Sequence, residues 1–380
     1  MKRRLIPICL LLCGGLLWLS AIGQQDTKAV SATVSDFSRN WLPSRGAPAG
    51  LHYVGAAVCA SCHVFEAAEL KTPMGEASLL PAQNKVLNHQ PRLSARNGAD
   101  IYRLARLSNG DEIYSVTAGG QTAQATLQWA FGLGYAGQTY LYQAQHIWHE
   151  SRVSYFKQIH GLDTTIGYSP RPPRNLHAAL GRRMGQDEAR ACFVCHTTGA
   201  VRTGQFLPAQ ATPGVTCEQC HGPGSAHVAA MRAHRYAQPQ IFNPAQLSPG
   251  RQADFCGNCH RTLMMVMQMG VSGILDVRFQ PYRLSLSKCY NPSDARITCL
   301  ACHDPHHALV KKISWYDDKC LACHIHRGQK TSWQMPGQAC PVAQRRCVSC
   351  HMPKLALPGA HHLFSDHYIR IVKPGAAYPD

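Results

Sequence analysis

Within residues 192–351 the chain reads Cys192-Phe-Val-Cys195-His196, Cys217-Glu-Gln-Cys220-His221, Cys256-Gly-Asn-Cys259-His260, Cys299-Leu-Ala-Cys302-His303, Cys320-Leu-Ala-Cys323-His324 and Cys347-Val-Ser-Cys350-His351. One earlier copy, Cys59-Ala-Ser-Cys62-His63, stands alone. The seven repeats absorb 14 of the 18 cysteines and seven of the 21 histidines. On a helical turn, positions i, i+3 and i+4 share one face. Two thiols so placed can add to the two vinyl groups of one haem while the adjacent imidazole reaches its iron. Cysteine pairs at this spacing also bind zinc or form redox disulfides, but neither use needs histidine directly after the second cysteine. Under random placement, seven such histidines have odds of roughly one in a billion. The pattern therefore predicts seven covalently attached haem c groups, with His63, His196, His221, His260, His303, His324 and His351 as proximal ligands.

Six of the seven motifs share the 160 residues from Cys192 to His351. Segments that short cannot bury an adequate core of their own side chains. The haems must then be the core, covered by short helices and loops, and neighbouring haems are forced close together. Closely spaced redox centres make a path for electrons.

The N-terminus sets the compartment. Lys2, Arg3 and Arg4 precede an apolar run from Leu5 to Leu19, and the small residues Ala21 and Gly23 precede polar Gln24, Gln25 and Asp26. This is the pattern of a secretory leader over residues 1–23, with export to the periplasm or cell surface. An uncleaved leader would instead tether the chain to a membrane at one end. Residues 24–50 read as a linker, 51–95 as a first haem segment, 96–175 as a β-rich insertion and 176–380 as a six-haem domain with a C-terminal tail.

A formal charge of +17 would ordinarily point to an acidic partner such as nucleic acid. Without the leader's three basic residues, 35 basic against 21 acidic residues leave +14. Seven haems bring two propionates each, so the excess Lys and Arg offsets propionates and no nucleic-acid partner is called for. The expected partners are redox proteins or quinone-linked membrane enzymes.

Between the first two motifs, residues 101–107 are rich in β-formers, Ser108-Asn109-Gly110-Asp111 is a hairpin signal and residues 112–117 read as the return strand. Residues 139–143 and 152–156 also read as strands. The Pro-Arg-Pro-Pro-Arg stretch at 170–174 marks a loop, and residues 178–190 read as a helix leading into the second motif. The fold class is thus α+β, with a small antiparallel β-subdomain toward the N-terminal side of a haem-cored cluster.

Each iron needs a sixth ligand or an open position. Outside the motifs stand 14 histidines, twice the number of irons. His227 follows its motif in Cys-His-Gly-Pro-Gly-Ser-Ala-His, and His306 follows another in Cys-His-Asp-Pro-His-His; both turns could hand an imidazole to a neighbouring haem. His362 and His367 lie where the tail must fold back over the cluster, and His177 stands before the second motif. His146, His149 and His160 are weaker candidates. Met74, in Thr-Pro-Met-Gly, could offer sulfur from a loop, although one of ten methionines is more often packing. The run 264–269, rich in methionine, reads as core or interface filler. Cys289 and Cys340 remain, and an exported location favours a disulfide between them.

Taken together, residues 53–74, 137–156, 192–227, 277–306 and 347–370, the last with Phe-Ser-Asp-His-Tyr-Ile-Arg, resemble the exported multihaem cytochromes c of the cytochrome c-552/c-554 type. The resemblance implies electron transfer, mostly six-coordinate haems, and distal histidines at His227, His306 and His367. The chain departs from it at Met74, where related domains often carry histidine. Relatives that reduce nitrite carry lysine in one motif, whereas all seven motifs here end in histidine. A multihaem reductase or oxidase of small nitrogen or sulfur compounds would need one iron with an open position. A filament-forming haem wire would need haems exposed at both ends. Pyridine haemochrome assay with intact mass should give seven haems per mature chain; six or fewer would show that one motif is not a haem site.

Overall fold

Alternation of apolar and polar side chains produces the strands, and they gather where the motifs are sparse. The computed structural model describes residues 39–169, 171–324, 339–373, 375 and 377–379. The expected leader and His326 lie outside the described residues. A short strand, β1 (Ser78–Leu79), precedes a four-stranded antiparallel meander of β2 (Arg92–Asn97), β3 (Asp100–Arg106), β4 (Glu112–Ala118) and β5 (Gln121–Thr126). Successive side chains point to opposite faces of a strand, which buries Tyr102, Leu104, Tyr114 and Val116 while Arg103 stays exposed. The register sets Tyr102 opposite Val116 and Leu104 opposite Tyr114. At the tip between β4 and β5, Gly119 and Gly120 have φ of 56° and 80°, the left-handed backbone that a two-residue hairpin turn requires.

A second antiparallel sheet has the order β1–β6–β7–β8–β11, from β6 (Trp129–Phe131), β7 (Thr139–Ala144), β8 (Ile147–Ser151) and β11 (Gly181–Arg183). A two-stranded pair, β9 (Val153–Phe156) and β10 (Gly161–Thr164), sits beside it. The two sheets share one apolar core that includes Leu87, Tyr102, Tyr114, Tyr140, Tyr155 and Leu180. A separate cluster centres on Phe193, whose ring lies 5.2 Å from Trp129, 5.2 Å from Phe131 and 5.1 Å from Trp148. Phe193 stands between the cysteines of the second motif, so that motif is anchored on the β-subdomain.

The chain departs from the sequence expectation at residues 178–190, which are not one helix. The helix Leu176–Leu180 ends at Gly181, the strand β11 follows, and the helix Gln186–His196 begins only afterwards. Tertiary pairing overrides helix propensity here. β11 pairs with β8, and Arg182 bonds both Glu150 and Glu188. A Cβ on Gly181 would come within 2.4 Å of the Glu150 carbonyl oxygen, so only glycine allows this approach. The end of the expected linker is packed as well. Trp41 is buried with Leu51 and Phe242, and its indole N–H donates to the Gln219 carbonyl at 3.1 Å.

Beyond this point apolar packing thins out. Among the described residues, no member of the three apolar clusters lies later than Phe255. Even the methionine-rich helix Leu263–Met269 buries only Val266 and turns Met264 and Met267 outward, so it is not core filler along its length. Its one covered face meets the helix Gln280–Ser285. No helix among the described residues is long and apolar enough to cross a membrane.

This division has a measurable consequence. Apoprotein made without haem attachment should keep amide hydrogen-exchange protection in residues 92–164, which own a core, and lose it across residues 217–351. Equal protection of both regions would contradict the division.

Candidate haem-attachment sites

Every motif makes one helical turn. The second, fourth and sixth close the longer helices Gln186–His196, Pro249–His260 and Ile313–His324. The third, fifth and seventh are the short helices Cys217–His221, Cys299–Cys302 (with His303 just beyond its end) and Cys347–His351. In the first, the His63 N–H donates to the Cys59 carbonyl at 2.9 Å and continues the turn of the helix Ala56–Ala60. The spacing therefore sets two sulfurs and an imidazole on one face, as the haem reading requires.

The fold then brings motifs together that are far apart in sequence. The helix of the first motif packs on that of the third, and the helix of the fourth on those of the second and the fifth. The helix of the sixth motif packs on those of the fifth and the seventh. Gln219, inside the third motif, donates through Nε2 to the carbonyl of Val194, inside the second, at 2.5 Å. All seven motifs thus form one connected set, and the fourth contacts the second and the fifth.

Imidazoles pair across it. His63 faces His227 with ring centroids 6.2 Å apart, His221 faces His306 at 6.1 Å, and His303 faces His367 at 6.2 Å. Two metal–imidazole bonds of about 2 Å, with each ring centre about 1.1 Å behind its nitrogen, require about 6 Å between centroids. The three pairs have that separation.

Hydrogen bonds orient the rings. Nδ1 of His196 bonds the Ala77 carbonyl at 3.1 Å, His221 that of Phe242 at 2.9 Å, and His351 that of Arg370 at 2.9 Å. His227 uses the Pro239 carbonyl and His367 that of Ser365, while His260 uses the Gln280 side chain. With Nδ1–H donating, Nε2 keeps its lone pair for a metal. Burial pushes the imidazoles of His196, His221, His260 and His303 below their ordinary range, and that of His367 down to about 4. These rings are neutral at pH 7, the form that ligates. Val64 and Phe65, directly after His63, are 68% and 84% exposed, an apolar surface that a porphyrin face would cover. Donor set, ring separations and apolar surface all fit haem.

The other candidates are placed differently. The ring facing His63 is that of His227, while the Met74 carbonyl accepts from the amides of Ala77 and Val215. His177 is exposed on the helix Leu176–Leu180, which packs on β4 and β5. His362 is half-buried against Phe364 at 4.9 Å. His146 and His160 are left-handed turn residues, and His149 stacks on Tyr142. Cys289 and Cys340 are free thiols, which overturns the expected disulfide. Burial raises the thiol of Cys289, whereas backbone amides at Ala343 and Val342 lower that of Cys340.

Two carboxylates escaped the sequence reading. Glu218, between the cysteines of the third motif, accepts from the amides of Val54, Gly55 and Gly224, each at 2.8 Å. It ties the entry to the first motif and the turn before His227 to the third motif. Asp317 accepts from the amides of Arg346 and Cys347 at 2.7 Å each, capping the helix of the seventh motif from that of the sixth. Neither carries a local signal, because their partners are backbone amides distant in sequence.

With this geometry in hand, the comparisons define a class. Residues 148–222 match the family model described as cytochrome c554 and c-prime. The Multiheme cytochrome MtrA of Shewanella baltica (strain OS185) is 22% identical over 206 residues, 48% of this chain and 60% of that protein. The chain thus spans about 60% of the length of this curated relative. No solved structure matches. The matches support a multihaem c-type cytochrome with covalently bound c-type haem.

One buried acid near the third motif titrates in a useful range. Glu69 is 8% exposed, and burial pushes its carboxyl up to about 8. Between its ordinary value of 4.5 and about 8 the folded chain holds a proton that the unfolded chain has released. Stability must therefore fall as pH rises through this window. Glu69→Gln should flatten that fall, read as the denaturant midpoint at about pH 5 and about pH 8. An unchanged slope would exclude Glu69 as its source.

Proposed function

We propose that this chain is a seven-haem, exported electron-transfer cytochrome of the c-552/c-554 type. The haems are attached through Cys59 and Cys62, Cys192 and Cys195, Cys217 and Cys220, Cys256 and Cys259, Cys299 and Cys302, Cys320 and Cys323, and Cys347 and Cys350. The histidine ending each motif is the proximal ligand. His227 is the distal ligand of the first haem, His306 of the third and His367 of the fifth. The observation that carries this reading is the set of three imidazole pairs at 6.1–6.2 Å, each joining a motif histidine to one outside the motifs.

When bound, haem supplies a one-electron carrier, and two axial imidazoles favour transfer over ligand exchange. The residues of the chain orient the imidazoles through Nδ1, keep them neutral and pack the helices of different motifs against one another. Haems attached to helices that touch would lie near one another, which would suit hopping of electrons along the set. Export to the periplasm or cell surface is supported by the leader pattern, and the partners are redox proteins or quinone-linked membrane enzymes.

His227→Ala tests the reading directly. All seven haems should stay attached, because thioether formation uses other residues. One of the seven should change from low-spin to high-spin in the ferric EPR spectrum, with a shifted reduction potential. His306→Ala should do the same at a different haem. An unchanged spectrum and titration in both variants would refute the ligand assignment. In the unmodified protein, a high-spin signal near one haem equivalent that responds to nitrite or hydroxylamine would favour a catalyst over a carrier.

A further inference from the structure

One cluster of buried charge lies outside the haem-binding residues. Arg283, in the helix Gln280–Ser285, has no exposed surface, and neither do Asp276 and Asp366. Its guanidinium grips Asp366 with two parallel bonds, Nε to Oδ1 at 2.9 Å and Nη2 to Oδ2 at 3.1 Å. Nη1 donates to the Pro379 carbonyl at 2.9 Å and lies 3.3 Å from Asp276. The rings of Tyr378 and Tyr368 flank it at 4.5 Å and 5.3 Å.

Asp366 is the residue before His367. It also accepts from the Tyr368 amide at 3.0 Å and from the Arg370 guanidinium at 2.5 Å. Ser287, four residues after Arg283, donates through Oγ to the His367 carbonyl at 3.3 Å and accepts from the Ile369 amide at 2.8 Å. The backbone on both sides of His367 is thus held from one element. The same segment reaches the seventh motif, where the Arg370 amide donates to the His351 carbonyl at 3.2 Å and the His351 ring bonds the Arg370 carbonyl.

A buried ion pair repays little of its desolvation cost as stability, and an apolar replacement of similar volume is often as stable. What the guanidinium fork supplies is direction, since two parallel bonds to a carboxylate leave it one orientation. We propose that Arg283 is a positioning residue for haem ligation: its bidentate grip on Asp366, with Ser287, aims the His367 imidazole at the iron held by His303. This rests on the assignment of His367 as a distal ligand.

Arg283→Gln and Arg283→Lys should each mature with seven haems by pyridine haemochrome. In each, one haem equivalent of seven should become high-spin by EPR, and added imidazole should return it to low-spin. Lysine keeps the positive charge but lacks the fork, so a purely electrostatic or structural role predicts no spin change in Arg283→Lys. His367→Ala should lose the same haem equivalent, and combining it with Arg283→Lys should lose no second one. If His367→Ala loses a low-spin haem while both Arg283 variants keep all theirs with unchanged potentials, the positioning role is overturned and the ligand assignment stands. If His367→Ala changes nothing, the ligand assignment itself fails. Should the Arg283 variants not mature, Ser287→Ala, which removes only the bridging hydroxyl, is read in the same way: a partial shift to high-spin supports the role, and full low-spin character overturns it.

Discussion

Six cysteine pairs with their histidines crowd 160 residues, and most of this half of the molecule follows from that crowding. A stretch of some 25 residues between motifs has too little apolar side chain to exclude water from itself. The three apolar clusters accordingly stop at Phe255, and the later segments are held by something else. Each short helix presents two sulfurs and a ring to a shared interior that seven flat apolar cofactors suit. Helix contacts between motifs distant in sequence, the first with the third and the second with the fourth, draw that interior together.

Where side-chain cores are missing, buried carboxylates take over the work of register. Glu218, Asp317 and Asp366 are 2%, 6% and 0% exposed, and each accepts from backbone amides. Glu218 and Asp317 each join one motif to another, and Asp366 joins the tail to the helix carrying Arg283. A hydrophobic contact tolerates sliding, whereas a carboxylate bound to several donors does not. Imidazole rings held face to face at 6.1–6.2 Å need that intolerance. The β-subdomain solves its own packing in the ordinary way, with alternating strands and tyrosine-rich layers, and lends the second motif an anchor through Phe193.

The motifs, their helical turn and the hairpin at Ser108 to Asp111 were legible because each depends on residues within a few positions of one another. The attachment chemistry is encoded in five consecutive residues, and the strands in a period of two. The helix expected over 178–190 failed because β8, thirty residues away, recruits Gly181 to Arg183 as a sheet edge. The expected Cys289–Cys340 bridge failed because no local rule says which sulfur a lone cysteine will face.

By itself, the sequence determined what each segment can bind: covalent c-type haem at a five-residue pattern whose geometry is local. Only the tertiary structure decided which motif lies beside which, that His227 rather than Met74 faces His63, and that Arg283 and Asp366 meet across 83 positions. The physical reason is range. A helical turn closes over four residues, whereas axial pairing and buried salt bridges depend on distances between segments that the chain sets only when it folds.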